Sequence, residues 1–170
     1  MTATEAKELL VLEASRWVGI TEKGGNNQGE IVKMFQSVIG GAVGEAWCAS
    51  YIAYCLKWTD RQMAILSDEW KASTLAKSEH CLTIWNTSPK AHRLTKPERG
   101  ALVIWQHGST TSGHIGLIEK VEIDGMLLTM EGNTGSGSGV VRDGDGVYRR
   151  SRSPRGAGDM KVVGYLKPWV

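Results

Sequence analysis

Three glycines, Gly40, Gly41 and Gly44, stand directly ahead of Glu45-Ala-Trp-Cys-Ala-Ser-Tyr-Ile-Ala-Tyr-Cys-Leu-Lys-Trp58, and the rest of the chain can be read outward from this junction. The glycines break any helix arriving from upstream, while Ile52, Cys55, Leu56 and Trp58 recur at helical spacing. Cys48 therefore opens a buried helix. A thiol there lies near unpaired N–H groups and the positive end of the helix dipole, which favour the thiolate. Glu45 opposes this, because a nearby carboxylate disfavours a second negative charge, so an activating cation must come from elsewhere in the chain. The alternative is a small, inert core cysteine, since free cysteines are among the most buried residues.

With 170 residues, 41% of them hydrophobic, the chain has enough apolar material for one domain spanning residues 1–170. A net charge of +2 and a pI near 8.4 are too mild to make nucleic acid the main partner. Cys48 and Cys55 sit seven positions apart on one helix, roughly 10 Å along its axis, and cannot bridge each other. With three cysteines and no CxxC or HxxxH spacing, neither a disulfide framework nor a zinc site is expected. The polar start, Met1-Thr-Ala-Thr-Glu-Ala-Lys-Glu, lacks the apolar stretch of a secretory signal, so synthesis as a cytosolic protein is expected. No run approaches the roughly 18 apolar residues of a bilayer span, which leaves passage to another compartment to other proteins.

In chain order, Thr4 to Val18 reads as an amphipathic helix. Gly19 to Gly29 is a loop; an amide of Asn26, Asn27 or Gln28 either reaches a cleft to position a peptide substrate or serves an ordinary turn. Glu30 to Ile39 is a second helix, stopped by Gly40-Gly41. Met63 to Leu82 reads as mostly helical and structural, including Cys81, and His92 as a solvated loop histidine. From residue 101 the character changes to short β-type runs between glycine turns: 101–106, 114–121, 126–131, 147–150 and 161–166. Helices first and strands second give an α+β fold with a largely antiparallel sheet. The acidic run Asp143-Gly-Asp-Gly146 lacks the ligand pattern of a calcium-binding hand, and Arg149-Arg-Ser-Arg-Ser-Pro-Arg155 reads as a solvated basic loop, with contact to an anionic polymer as the alternative.

A thiolate nucleophile needs a histidine in hydrogen-bond reach and a third group to orient it. The runs His114-Ile-Gly-Leu-Ile-Glu-Lys-Val121 and Met126-Leu-Leu-Thr-Met-Glu-Gly-Asn133 flank the Asp124-Gly125 turn signal. With a two-residue turn Gly116 faces Asn133; with a four-residue loop Gly116 faces Glu131 and His114 faces Asn133. Either even loop puts His114, Glu131 and Asn133 on one face, whereas an odd loop or a bulge breaks the inference. Gly116 between them leaves room, or is a mere strand irregularity. If the Cys48 helix packs on that face, His114 is the missing cation.

Trp47-Cys-Ala-Ser-Tyr-Ile-Ala-Tyr-Cys-Leu56, Gly113-His-Ile-Gly-Leu-Ile118 and Glu131-Gly-Asn-Thr134 together resemble the CHAP domain, the cysteine, histidine-dependent amidohydrolase/peptidase family. The similarity extends to Gly25-Asn-Asn-Gln-Gly29 and Gly146-Val-Tyr-Arg-Arg150. It implies a papain-like α+β fold and cleavage of an amide bond in the peptide part of peptidoglycan, often by a phage endolysin. It places the nucleophile on Cys48, the base on His114 and the orienting group on Glu131, with Asn133 as the other polar member. Trp47, beside the nucleophile, either walls the cleft or belongs to the core. Some relatives carry an aspartate-rich calcium site before the nucleophile; residues 40–45 offer no such ligands, so no metal and no cofactor are expected. With no separate wall-binding domain following, wall targeting by a monomeric catalytic domain is expected. An antibacterial amidase effector and a noncatalytic wall-binding or virion module are the alternatives, and the intact Cys48, His114 and Glu131 set argues against the last.

Overall fold

The computed structural model describes residues 2–136 and 144–170. Residues 137–143, which carry much of the glycine- and serine-rich loop and Asp143 of the acidic run, lie outside the described residues. Helices α1 (Ala3–Ser15), α2 (Glu30–Ser37), α3 (Cys48–Leu66) and α4 (Cys81–Thr87) precede strands β1 (Arg93–Leu94), β2 (Leu102–His107), β3 (Gly113–Val121), β4 (Leu127–Thr134), β5 (Gly146–Arg152) and β6 (Met160–Leu166). The strands form one sheet in the order β1-β6-β2-β3-β4-β5, every pair antiparallel. This is the α+β class read from the sequence, and its order of helices before sheet is consistent with a papain-like fold.

Local chemistry sets the helices. A capping box opens α1: the Glu5 N–H donates to Thr2 Oγ1 (3.2 Å) and the Thr2 N–H donates to the Glu5 carboxylate (2.7 Å). Leu10, Val11 and Ala14 then face the core, and the Tyr51 hydroxyl of α3 donates to the Ala14 carbonyl at 2.9 Å. Phe35 of α2 is ringed by Trp17, Trp47, Tyr51 and Tyr54, with centroids 5.2 to 5.9 Å away. Such contacts add to simple area burial, so this aromatic cluster fixes where α3 begins.

Two segments differ from the sequence reading. The stretch from residue 67 to 80 is largely irregular rather than helical. Asp60 gathers it through side-chain bonds, accepting from the indole N–H of Trp70 (3.0 Å), the indole N–H of Trp169 (2.8 Å) and the Ser73 N–H (3.1 Å). His92 is buried rather than solvated, with Nδ1 at 2.8 Å from the Lys167 carbonyl oxygen and Nε2 at 2.8 Å from Thr74 Oγ1. It pins the short helix 90–92 to the C-terminal segment.

Both faces of the sheet bury apolar side chains. Ile104, Ile115, Leu117 and Met130 join the core that contains Ile52 and Cys55 of α3. Val103, Trp105, Ile118 and Leu127 form a second, smaller core with Met160 and Tyr165 of β6. The alternation along β2 and β3 is that of a sheet buried on both sides.

The β3–β4 hairpin departs from both loops considered from sequence. Val121 pairs with Leu127, leaving five residues between, and a register shift follows between Ile118 and Lys120. Beyond it Ile118 pairs with Thr129 and Leu117 with Met130, the register of a four-residue loop. Odd loop and bulge offset each other, and the end of the hairpin keeps its expected parity.

Gly132 lets α3 lie close on β4, because a Cβ there would stand 2.8 Å from Tyr51 Cβ and 3.0 Å from the Trp47 ring. Gly132→Ala must push the start of α3 outward, and is expected to cost about 1–3 kcal/mol of unfolding free energy in urea titrations. An unchanged midpoint would show that this contact is slack.

Candidate active site

Trp47 occupies the N-cap position of α3 and Cys48 its first turn, as the glycine junction requires. No side chain of Trp47 caps the helix, so its first N–H groups are left to the thiol and to neighbours. Glu45 does not face the thiol. Its carboxylate accepts from the Ala42 N–H at 2.7 Å, closing the turn ahead of the helix.

Opposite stands His114, and the two do not meet as a helix on a sheet face. The body of α3 packs on the Ile115 and Leu117 side, whereas His114 stacks on Trp105 of the other core, with ring centroids 5.6 Å apart. They meet because His114 is the second residue of β3 and Cys48 the first of α3, so strand end and helix tip reach the same cleft. His114 Nε2 donates to Glu131 Oε2 at 2.9 Å, which leaves Nδ1 for the thiol. Gly116 opens the space for this pair: a Cβ there would lie 2.9 Å from Glu131 Cγ and 3.2 Å from the Trp105 ring.

Glu131 is wholly buried and accepts from three side chains. Besides His114, the Thr129 hydroxyl donates to Oε1 (2.6 Å), and Arg152 donates from Nε to Oε1 (2.8 Å) and from Nη2 to Oε2 (2.6 Å). Arg152 thus forks onto both carboxylate oxygens. Sequence reading placed it in a solvated basic loop, but Arg150 and Arg152 face inward from β5 while Arg149 pairs with Glu119 at 2.7 Å outside. The period-two alternation of the arginines was the available signal.

Asn133 lines the cleft but makes no bond to His114. Its backbone is left-handed (φ 50°) where the β4–β5 register shifts, which turns its amide toward the start of α3. With the amide oriented to satisfy both ends, it donates to the Gly144 carbonyl (2.7 Å) and accepts from the Trp47 N–H (3.2 Å). Glu131 therefore meets the far nitrogen of the histidine, and Asn133 meets the entry to the cysteine helix.

The substrate-positioning candidates lie elsewhere. Trp47 is fully buried, stacked on Phe35, and its indole N–H donates to Glu22 Oε1 at 2.8 Å. Asn27 is buried as well: its backbone N–H donates to Glu22 Oε2 (2.8 Å) and its side chain to the Gly44 carbonyl (3.0 Å). Both brace the approach to Cys48. Asn26 and Gln28 are exposed, and none of these four lines the cleft. The cleft, about 90 Å³, is lined instead by Cys48, His107, Ser112, His114, Asn133 and Arg152, among others.

Sequence reading also missed Cys81. Its Sγ lies 3.6 Å from that of Cys48, because α4 begins at Cys81 and brings it behind the thiol. Among the described residues no group of three or more His, Cys, Asp or Glu is arranged to hold a metal ion, and no helix is long and apolar enough to cross a membrane.

Comparison with known families bears on this cleft, since a family model for the CHAP domain matches residues 40–133, more than half of the chain and a span that includes Cys48, His114, Glu131 and Asn133. The chain belongs to the CHAP domain family. No curated protein and no solved structure matches it. Arg152 and Asn26 to Gln28 lie outside the matched CHAP span.

The electrostatics of this CHAP cleft favour an ion pair. The Cys81 S–H, then the His114 imidazolium and the Ala49 N–H, hold the Cys48 thiol well below its ordinary range against the opposing effect of burial. The same contact pushes Cys81 up, and burial raises Cys55 in the core of α3. Burial works against a charged His114, but its bonds to Cys48 and Glu131 prevail and raise it to about 9. Burial likewise opposes the Glu131 charge, and Arg152 and His114 nonetheless hold that carboxyl at about 2.

Glu131→Gln removes the charge that supports imidazolium, so His114 should titrate lower and the Cys48 thiol higher. The pH midpoint for alkylation of Cys48, followed by peptide mass spectrometry, is expected to rise by about one unit. Asn133→Ala should change it less, and the reverse order would make Asn133 the orienting residue.

Proposed function

We propose that this CHAP domain hydrolyses an amide bond in the peptide part of bacterial peptidoglycan through a thioester on Cys48. The observation that carries the proposal is the pairing of a helix-tip cysteine with a histidine whose far nitrogen is anchored on a buried glutamate, 2.9 Å away, in one cleft. Family membership supports the substrate class.

Cys48 thiolate attacks the scissile carbonyl, and the resulting oxyanion accepts from the Cys48 backbone N–H. His114 imidazolium gives its proton to the leaving amine, which departs as the tetrahedral intermediate collapses to the thioester. A water then enters, His114 takes its proton, and hydroxide attack releases the acyl group and restores the thiolate. Glu131 keeps the ring oriented through both proton transfers, and Arg152 keeps Glu131 in place. The chain acts as a monomer at the cell wall, after release from the cytoplasm by another protein, in the manner of a phage endolysin.

Because members of such a set act as a unit, Cys48→Ala and His114→Ala are each expected to lower hydrolysis of purified peptidoglycan at least about 10³-fold. Circular dichroism should show the fold retained in both. A folded Cys48→Ala protein with ordinary activity would contradict the thiol mechanism. Mass spectrometry of fragments released by the wild type identifies the bond cut, and new reducing sugar ends with no new amino terminus would contradict amide hydrolysis.

A further inference from the structure

The contact between Cys48 and Cys81 favours the thiolate but takes part in no bond-making or bond-breaking step of the hydrolytic cycle. The two residues come from the starts of different helices, yet their sulfurs lie 3.6 Å apart and both side chains are buried. A disulfide bond is about 2 Å long, so the sulfurs need approach by only about 1.5 Å, which side-chain rotation with a small helix shift supplies. The pair is also asymmetric: Cys48 lines the cleft and Cys81 does not. A small oxidant entering the cleft meets Cys48 first, with Cys81 directly behind it.

We propose that Cys48 and Cys81 are a peroxide-reactive dithiol that closes to a reversible disulfide, taking Cys48 out of its thiolate form and shielding it from irreversible oxidation. The co-reactant is a hydroperoxide. In the first step the Cys48 sulfur attacks the O–O bond; an S–O bond forms, the O–O bond breaks, and the departing oxygen leaves as water or alcohol after taking a proton. Cys48 is then a sulfenic acid. In the second step the Cys81 sulfur attacks the Cys48 sulfur; the S–S bond forms, the S–O bond breaks, and hydroxide leaves as water with the proton that Cys81 gives up. Two thiols have lost two electrons and the peroxide has gained them. The third cysteine, Cys55, is fully buried on the same helix as Cys48 and serves as an internal control.

The test needs no assay of hydrolysis and therefore stands apart from the functional proposal. The reduced wild-type chain is treated with about one equivalent of hydrogen peroxide, unfolded in iodoacetamide, and measured by intact mass and by fragmentation of its peptides. The expected product carries one alkylated cysteine, Cys55, in place of the three free cysteines of the reduced chain, with the two remaining sulfurs joined and about 2 Da lost. Fragmentation should place the link between Cys48 and Cys81, and dithiothreitol added before the alkylation should restore all three thiols. In Cys81→Ser treated with about ten equivalents of peroxide, two of which are consumed per sulfinic acid formed, the Cys48 sulfur is expected to proceed to sulfinic acid, and the fraction recovered by dithiothreitol to fall at least about tenfold below that of the wild type at the same dose. Sulfinic acid at Cys48 of the wild type with no cross-link, or a cross-link to Cys55, would overturn the proposal. Should Cys81→Ser not fold, the wild-type product decides alone.

Discussion

The carboxylate of Glu131, with no surface open to water, is the constraint on which the rest of the site depends. An isolated buried carboxylate costs several kcal/mol, so it persists as an anion only when charges and donors meet most of its lone pairs. Here Arg152 forks onto both oxygens, Thr129 donates to one and His114 to the other. Each partner comes from a different place: Thr129 from the same strand, His114 from β3, Arg152 from β5. The carboxylate thereby ties three neighbouring strands together at the end of the sheet nearest the cysteine helix. Because Arg152 already balances its charge, Glu131 can support an imidazolium without leaving a surplus negative charge in the core.

From that anchor the geometry extends outward through close contacts that only small or flat groups permit. Gly116 and the Trp105 ring give Glu131 and His114 their space on one face of the sheet. On the other face Gly132, between Glu131 and Asn133, admits Tyr51 and Trp47. One strand segment therefore positions the histidine's partner on one side and the cysteine's helix on the other. Cys48 needs only to project from the helix tip. The three cysteines show how environment shifts one thiol in different directions: burial pushes Cys55 up, the Cys48 contact pushes Cys81 up, and Cys81 and His114 draw Cys48 down.

Much of this was legible in the sequence because it rests on local signals. The glycines before Cys48 marked the helix start, and five runs beyond residue 100 marked five of the six strands. Side-chain parity brought His114, Gly116 and Glu131 together, and held although the loop is odd and the strand bulged, since those two irregularities offset each other. What was not legible depends on distant partners. Cys81 lies 33 residues from Cys48 and in a stretch whose helical pattern gave way to the bonds centred on Asp60. Arg152 looked like one charge in a solvated tract until β5 turned it inward, and His92 found carbonyl and hydroxyl partners only in the folded chain. Asn133 left the expected face because its left-handed backbone redirected the amide.

The proposed mechanism requires Cys48 and His114 to stand as a thiolate–imidazolium pair held by Glu131 and Arg152. Nitrogen-15 NMR of the His114 ring across a pH titration tests it most directly, because imidazole and imidazolium nitrogens have distinct shifts. A doubly protonated ring is expected through neutral pH, losing its proton as the pH rises through about 9. Any stability that this charge adds should be complete below the ordinary histidine value of about 6.5 and disappear over the same rise. A ring that is already neutral at pH 7, with its midpoint near 6.5, would contradict the ion pair and the role assigned to the buried carboxylate.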